Sequence, residues 1–191
     1  MGRSCVFIDG GYFQKVLEKD FDRPKIDFSL VGPVLTENLD ILLRTYYYNC
    51  PPYQSANPTD RERLFVRNAD RFYHRLRQLG SFELRLGRLA FRGFSQDSGE
   101  RIFEQKRVDV QLAVDLLTLS FSRQITTAVI VAGDSDFIPV LEAAKLQGVR
   151  VVVCHGVRNP AHRELLEAAD EPRVLDEQFV NKVRLPNPPE L

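Results

Sequence analysis

The sequence predicts one α/β domain built on a mostly parallel sheet with helices on both faces. Three observations predict it. Strand-like and helix-like segments alternate from end to end, the order expected of βαβ units. The runs "CVFI", "AVIVA" and "VRVVVC" are continuously apolar rather than alternating, as strands buried on both faces are. The 191 residues, 43% of them hydrophobic, contain no linker and no internal repeat. A single core is therefore expected over residues 1–183, with the Pro-rich end "RLPNPPEL" (184–191) as a disordered tail.

The elements run in order along the chain. "SCVFID" (4–9) reads as a buried strand closed by Gly10-Gly11, and "YFQKVLEK" as the helix after it. A second helix is expected over 28–39, although Gly32-Pro33 weakens it. "ILLRTYYYN" (41–49) has strand composition, and alternation sends Tyr47 to the face opposite Tyr46 and Tyr48. "CPPYQSANP" is a loop. Thr59 or Asp60 caps a long helix reaching Leu79 and stopped by Gly80. Phe65, Ala69, Phe72, Leu76 and Leu79 share its apolar face. "FELRLGRLAF" (82–91) reads as one strand and "RGFSQDSGERIFEQ" as a polar loop. "KRVDVQLAVDLLTLSF" (106–121) reads as a buried helix. "TAVIVA" is a strand, "FIPVLEAAKLQ" a helix stopped by Gly148, and "VRVVVCH" a strand. Asn159-Pro160 reads as the N-cap and first turn of a helix through "AHRELLEAAD".

Composition excludes several classes. Lys plus Arg and Asp plus Glu are 26 each, so a broadly cationic coat for nucleic acid is excluded, while a local basic patch is not. Three scattered cysteines and three scattered histidines give no zinc-ligand spacing. The cysteines read as reduced thiols of a cytoplasmic protein. No apolar run approaches membrane-spanning length, and "MGRSCVFIDGG" turns acidic too soon for a signal peptide, so no membrane partner is expected.

Chemistry in an open parallel sheet sits beyond the carboxyl ends of the strands, where strand order switches. Two strands here end in acid: one at Asp9, the other at Gly133 before Asp134 and Asp136. If these strands are neighbours, three carboxylates converge. Asp109 adds a fourth from a helix face it shares with Leu112, Ala113 and Leu116, where a carboxylate is costly unless neutralised. Each acid also has a purely local reading. Asp136 can cap the helix at Phe137, Asp9 can serve a turn, and Asp109 can answer a helix dipole. Asp115 can be a surface acid or hold a backbone amide or an arginine. Taken together, the acids favour a hard cation such as Mg²⁺, which takes oxygen ligands, retains water and is completed by substrate phosphate. Such a site activates water against a phosphodiester.

The blocks "VFIDGGY", "KRVDVQLAVD" and "VAGDSDFIPVLEAAKLQGVRVVV" resemble, in order, the three blocks of NYN-domain proteins of the LabA-like group, within the PIN-like nuclease superfamily. The resemblance runs from about Ser4 to Val153, and "HRELLEAAD" is similar to the group's closing helix. It implies a PIN-like three-layer sandwich and a Mg²⁺- or Mn²⁺-dependent endoribonuclease that hydrolyses RNA through a cation-activated water. Residue by residue, it implies that Asp9, Asp109, Asp134 and Asp136 bind metal and act in catalysis. Gly10, Ser135 and Asp115 would support them, Asp115 sitting about a third of a turn round the helix from Asp109. Two positions depart from the family pattern: Tyr12 stands where Asn is frequent, and Ala132 where Ser or Thr often precedes the Gly-Asp-Ser-Asp run.

Residues 61–107 hold twelve Lys and Arg against six Asp and Glu. Arg63, Arg67, Arg71 and Arg75 form an i,i+4 row that reads either as a phosphate-contacting ridge or as a solvated face. Lys106 and Arg107 adjoin Asp109, and Arg85, Arg88 and Arg92 extend the strip. With these side chains the expected partner is single-stranded or structured RNA; a homo-oligomer or protein partner stays open. Among the aromatics, Tyr53 and Phe94 lie in polar loops where they could stack on bases. Two rival readings remain. A non-catalytic RNA-binding module would keep the fold without cutting. A HAD-type phosphatase needs a second Asp two residues after its nucleophile, where this chain has Gly11.

Overall fold

The computed structural model describes residues 2–94 and 101–186. The first apolar run forms β1 (Arg3–Asp9), fully buried from Cys5 to Ile8, and the chain passes directly into α1 (Gly10–Phe21). Next come α2 (Phe28–Leu35), β2 (Ile41–Asn49), α3 (Asp60–Arg77), β3 (Phe82–Leu86), β4 (Arg88–Phe94) and β5 (Arg101–Lys106). The second half comprises α4 (Val108–Phe121), β6 (Thr127–Val131), α5 (Ile138–Leu146), β7 (Arg150–His155), α6 (Arg163–Ala168), β8 (Glu171–Val174) and α7 (Glu177–Val183).

Six strands form one sheet in the order β3-β2-β1-β6-β7-β8, every pairing parallel. Strand order reverses between β1 and β6, which pair from Ser4 opposite Thr127 to Ile8 opposite Val131. Their carboxyl ends, Asp9 and the Gly133-Asp134 turn, are therefore adjacent at the switch point. One face of the sheet packs α4, α5 and α6 through Leu112, Leu116, Leu141 and Leu165 against Phe7, Tyr46 and Tyr48. The other packs α1, α2, α3 and α7 through Phe13, Val31, Tyr73 and Phe179 against Ile8 and Tyr47. The result is a three-layer sandwich of the kind the resemblance implies, and the three tyrosines divide between faces as alternation requires. All three cysteines are buried free thiols. No helix among the described residues is long and apolar enough to cross a membrane.

Several elements differ from the sequence reading. The helix expected over 28–39 stops at Leu35, where the Thr36 hydroxyl donates to the Gly32 carbonyl at 3.0 Å. The run 82–91 is two strands, not one. Gly87 donates its N–H to the Asn49 carbonyl at 2.8 Å, and beyond it β4 leaves the main sheet to pair antiparallel with β5. Both ends of the expected polar loop 92–105 are thus hairpin strand, while residues 95–100 lie outside the described residues. Alternation continues across Gly87, so the break shows only in the change of partner. Asn159-Pro160 does not start the helix. α6 begins at Arg163 after His162, whose N–H donates to the Gly133 carbonyl at 2.9 Å, while the Asn159 side chain is engaged by Lys19. Phe65 is 65% exposed although it shares the face of buried Leu76, because α3 packs chiefly on the edge strand β3 through its C-terminal half. Within the stretch expected as a tail, two residues bond back to the fold. Arg184 bridges to Ile26, and the Leu185 N–H donates to the Lys25 carbonyl at 2.8 Å. Residues 187–191 lie outside the described residues. β8 and α7 went unread, being a four-residue edge strand and a seven-residue helix capped by Asp176.

Thr59 caps α3 in a capping box. Its hydroxyl accepts the Glu62 N–H at 3.2 Å, and the Glu62 carboxylate accepts the Thr59 N–H at 2.9 Å. Thr59→Ala should cost about 1 kcal/mol, a drop in melting temperature of about 2–4 °C for a chain of this size. An unchanged thermal unfolding curve would show that the box adds no stability.

Candidate metal centre

Asp9 is the last residue of β1 and the N-cap of α1. One oxygen, Oδ1, accepts the N–H groups of Gly11 at 2.9 Å and Tyr12 at 3.2 Å. Oδ2 has no hydrogen-bond partner among the described residues. Gly10 is dictated by close packing: a Cβ there would stand 2.6 Å from the Tyr47 ring and 2.7 Å from the Tyr48 carbonyl. Asp134 repeats the arrangement after β6, its Oδ1 accepting the Asp136 N–H at 3.0 Å to cap a short 3₁₀ turn, Ser135–Phe137, that precedes α5. The cap is therefore Asp134 and not Asp136, because the chain enters a 3₁₀ turn before the helix.

Asp109 stands in the first turn of α4. Arg107 before it adopts φ +78°, a left-handed conformation that costs about 1–2 kcal/mol in a non-glycine residue. That turn reverses the chain from β5 into α4, and α4 packs over β1 and β2. Asp9, Asp109 and Asp134 line one open cleft of about 470 Å³ at the switch point, with Ser135 beside them.

The charges oppose one another. Burial, and next the neighbouring Asp109, raise the pKa of Asp9 despite its backbone hydrogen bonds. Burial and then the carboxylates of Asp134 and Asp136 raise that of Asp109. Asp136 does not line the cleft, but its charge reaches Asp109. Among the described residues, no three His, Cys, Asp or Glu side chains are arranged to hold an ion by themselves. The donors nonetheless suit a hydrated hard cation, which needs only one or two carboxylates and keeps its own water. Positive charge placed here relieves the repulsion that raises both acids.

The signs of these shifts set a pH dependence of stability. Each group binds its proton more tightly folded than unfolded, so the folded chain holds more protons between the ordinary Asp value of 3.8 and the raised values. Stability of the divalent-free protein should fall as pH rises through that window. Asp109→Asn should raise its melting temperature at neutral pH by roughly 2 °C. Mn²⁺ should stabilise the wild type more than the variant. Urea unfolding against pH checks this; a flat profile would mean the acids do not repel one another.

The other expected residues are dispersed. Asp115 accepts the Tyr48 hydroxyl and the Arg85 Nε, each at 3.0 Å, tying α4 to β2 and β3. Gly10 lies beneath Tyr47. Lys106 and Arg107 are exposed near the start of α4 but do not line the cleft. Arg63, Arg67, Arg71 and Arg75 lie on α3, none lining the cleft. Tyr53 stacks on Phe91 with ring centroids 6.4 Å apart. The Phe94 side chain lies outside the described residues.

Four cleft residues were missed: Tyr12, Lys15, Asn159 and His162. Lys15 was within reach, since it sits one helical turn beyond Gly11 on the helix that Asp9 caps. Tyr12 lies in the first turn of the same helix, whereas Asn159 and His162 depend on the β7–α6 connection, which local pattern does not place. Tyr12 packs its ring where a Gly133 Cβ would otherwise stand, at 2.3 Å, and its hydroxyl donates to the Asn159 carbonyl at 2.8 Å.

No curated protein matches the chain. Among solved structures, a Vibrio parahaemolyticus protein of unknown function is similar at 18% identity over 96% of both chains, with a TM-score of 0.64, and supports the fold alone. Plasmodium falciparum nicotinic acid mononucleotide adenylyltransferase matches at 12% identity over 92% of this chain and 74% of that one, with a TM-score of 0.35, too distant to bear on the fold. The NYN-domain model matches residues 3–176, and the chain belongs to that family, within the PIN-like nuclease superfamily.

Proposed function

We propose that this NYN domain is a Mg²⁺- or Mn²⁺-dependent endoribonuclease of the LabA-like type. One observation carries the reading: Asp9 ends β1, Asp134 lies in the turn just past the end of its parallel neighbour β6 at the switch in strand order, and Asp109 lines the same cleft. Asp9, Asp109 and Asp134, with Asp136 beside Asp109, are the residues that would hold the cation. When bound, it supplies Lewis acidity, making water nucleophilic at neutral pH and offsetting charge on the leaving oxygen.

The chain's own part is to fix the acids. Asp9 and Asp134 each commit one oxygen to backbone N–H groups, which locks the carboxylate and leaves the other oxygen to coordinate. Locked ligands lose little entropy on binding.

The test is cleavage of end-labelled single-stranded RNA. Internal cuts that need Mg²⁺ or Mn²⁺ and stop on chelation support the reading. RNA bound but left intact under all divalent conditions would replace it with the non-catalytic module.

A further inference from the structure

The cleft walls differ in charge. Asp9, Asp109 and Asp134 come from β1, α4 and the turn after β6; Lys15, Asn159 and His162 come from α1 and the β7–α6 connection. That connection is fastened to α1 by several bonds. Asp20 accepts the N–H groups of Val157 at 2.6 Å and Arg158 at 3.1 Å. Tyr12 holds the Asn159 carbonyl, and Lys19 Nζ donates to Asn159 Oδ1 at 3.1 Å. Because a lysine only donates, this bond fixes which way the Asn159 amide is turned and leaves its NH₂ as a donor. Lys15 and His162 are exposed at the cleft.

This wall thus offers an ammonium, an amide NH₂ and an imidazole, all able to donate to phosphate oxygens, next to carboxylates that repel them. A cation among the acids offsets that repulsion only at the phosphate it touches. The next phosphate along a strand needs its own positive partner. We propose that Lys15, Asn159 and His162 form a subsite for a backbone phosphate of single-stranded RNA, one position along from the phosphate at the acids. The proposal rests on the nuclease reading of the cleft. It routes the strand over the β7 side of the switch point rather than along the α3 arginines.

The test is anisotropy of a labelled single-stranded RNA oligonucleotide in Mg²⁺, in an Asp109→Asn background so that cleavage does not intrude. Lys15→Gln should weaken binding about tenfold and lower the slope of log Kd against log salt by about 0.7. Lys15→Arg should restore affinity to within about threefold. His162→Ala should weaken it about threefold, and the pair Arg67→Ala and Arg71→Ala should change it less than about twofold. Unchanged affinity and salt slope in Lys15→Gln, or a loss confined to the α3 pair, overturns the subsite. If Lys15→Gln lowers affinity but the wild type never cuts RNA, the subsite stands and the nuclease reading falls. If the wild type cuts RNA and Lys15→Gln alters neither binding nor KM, the subsite alone falls.

Discussion

Asp134→Asn should reduce RNA cleavage by about a thousandfold or more while leaving the fold intact. Asparagine caps a helix start as well as aspartate does. Its side-chain oxygen can still accept the Asp136 N–H, so the 3₁₀ turn and α5 keep their start. What is lost is one negative charge where a cation is expected, and removing a group that stabilises transition-state charge commonly costs two to three orders of magnitude, about 3–4 kcal/mol. The same logic applies to Asp9→Asn, whose amide oxygen can still cap α1. The check is single-turnover cleavage beside thermal unfolding. Full activity with an unchanged melting temperature would remove Asp134 from the chemistry. Lost activity with a lowered melting temperature would mean the effect is structural.

The largest effect on stability should come from Gly10→Ala. The added methyl meets the buried Tyr47 ring on one side and the Tyr48 carbonyl on the other. Tyr47 is fully buried and packed edge-on by Phe28 and Phe72, so it cannot swing away. The remaining route is to separate β1 from β2 at the point where Asp9 is positioned. Overpacking of this kind costs about 3 kcal/mol, or about 6–12 °C in melting temperature. Denaturant unfolding measures it. A loss under about 1 kcal/mol would show that the strand end yields easily. Activity should fall with stability, because the displaced atoms include the cap of α1.

The fold was readable where burial leaves a local mark. Continuously apolar strands announced a parallel sheet, and acids at two strand ends announced its switch point. Reading failed where spacing is degenerate. Asp134 and Asp136 are two residues apart, and either can cap the next helical turn until the 3₁₀ geometry decides. "FELRLGRLAF" alternates across Gly87, yet its halves pair with different partners. The far wall of the cleft was hidden for another reason: the Tyr12 hydroxyl bonds to a carbonyl 147 residues away. In the sequence Tyr12 shows only as a departure from the family pattern. In the fold it fills the space over Gly133 and anchors the segment bearing Asn159.

The most direct test of the metal centre is a crystal soaked in Mn²⁺ and measured for anomalous scattering. The expected result is a peak in the cleft within coordination distance of Asp9, Asp109 or Asp134, bridged by water where a carboxylate does not reach, and absent in Asp134→Asn. Manganese bound elsewhere, or a cleft without a peak at saturating Mn²⁺, would contradict it.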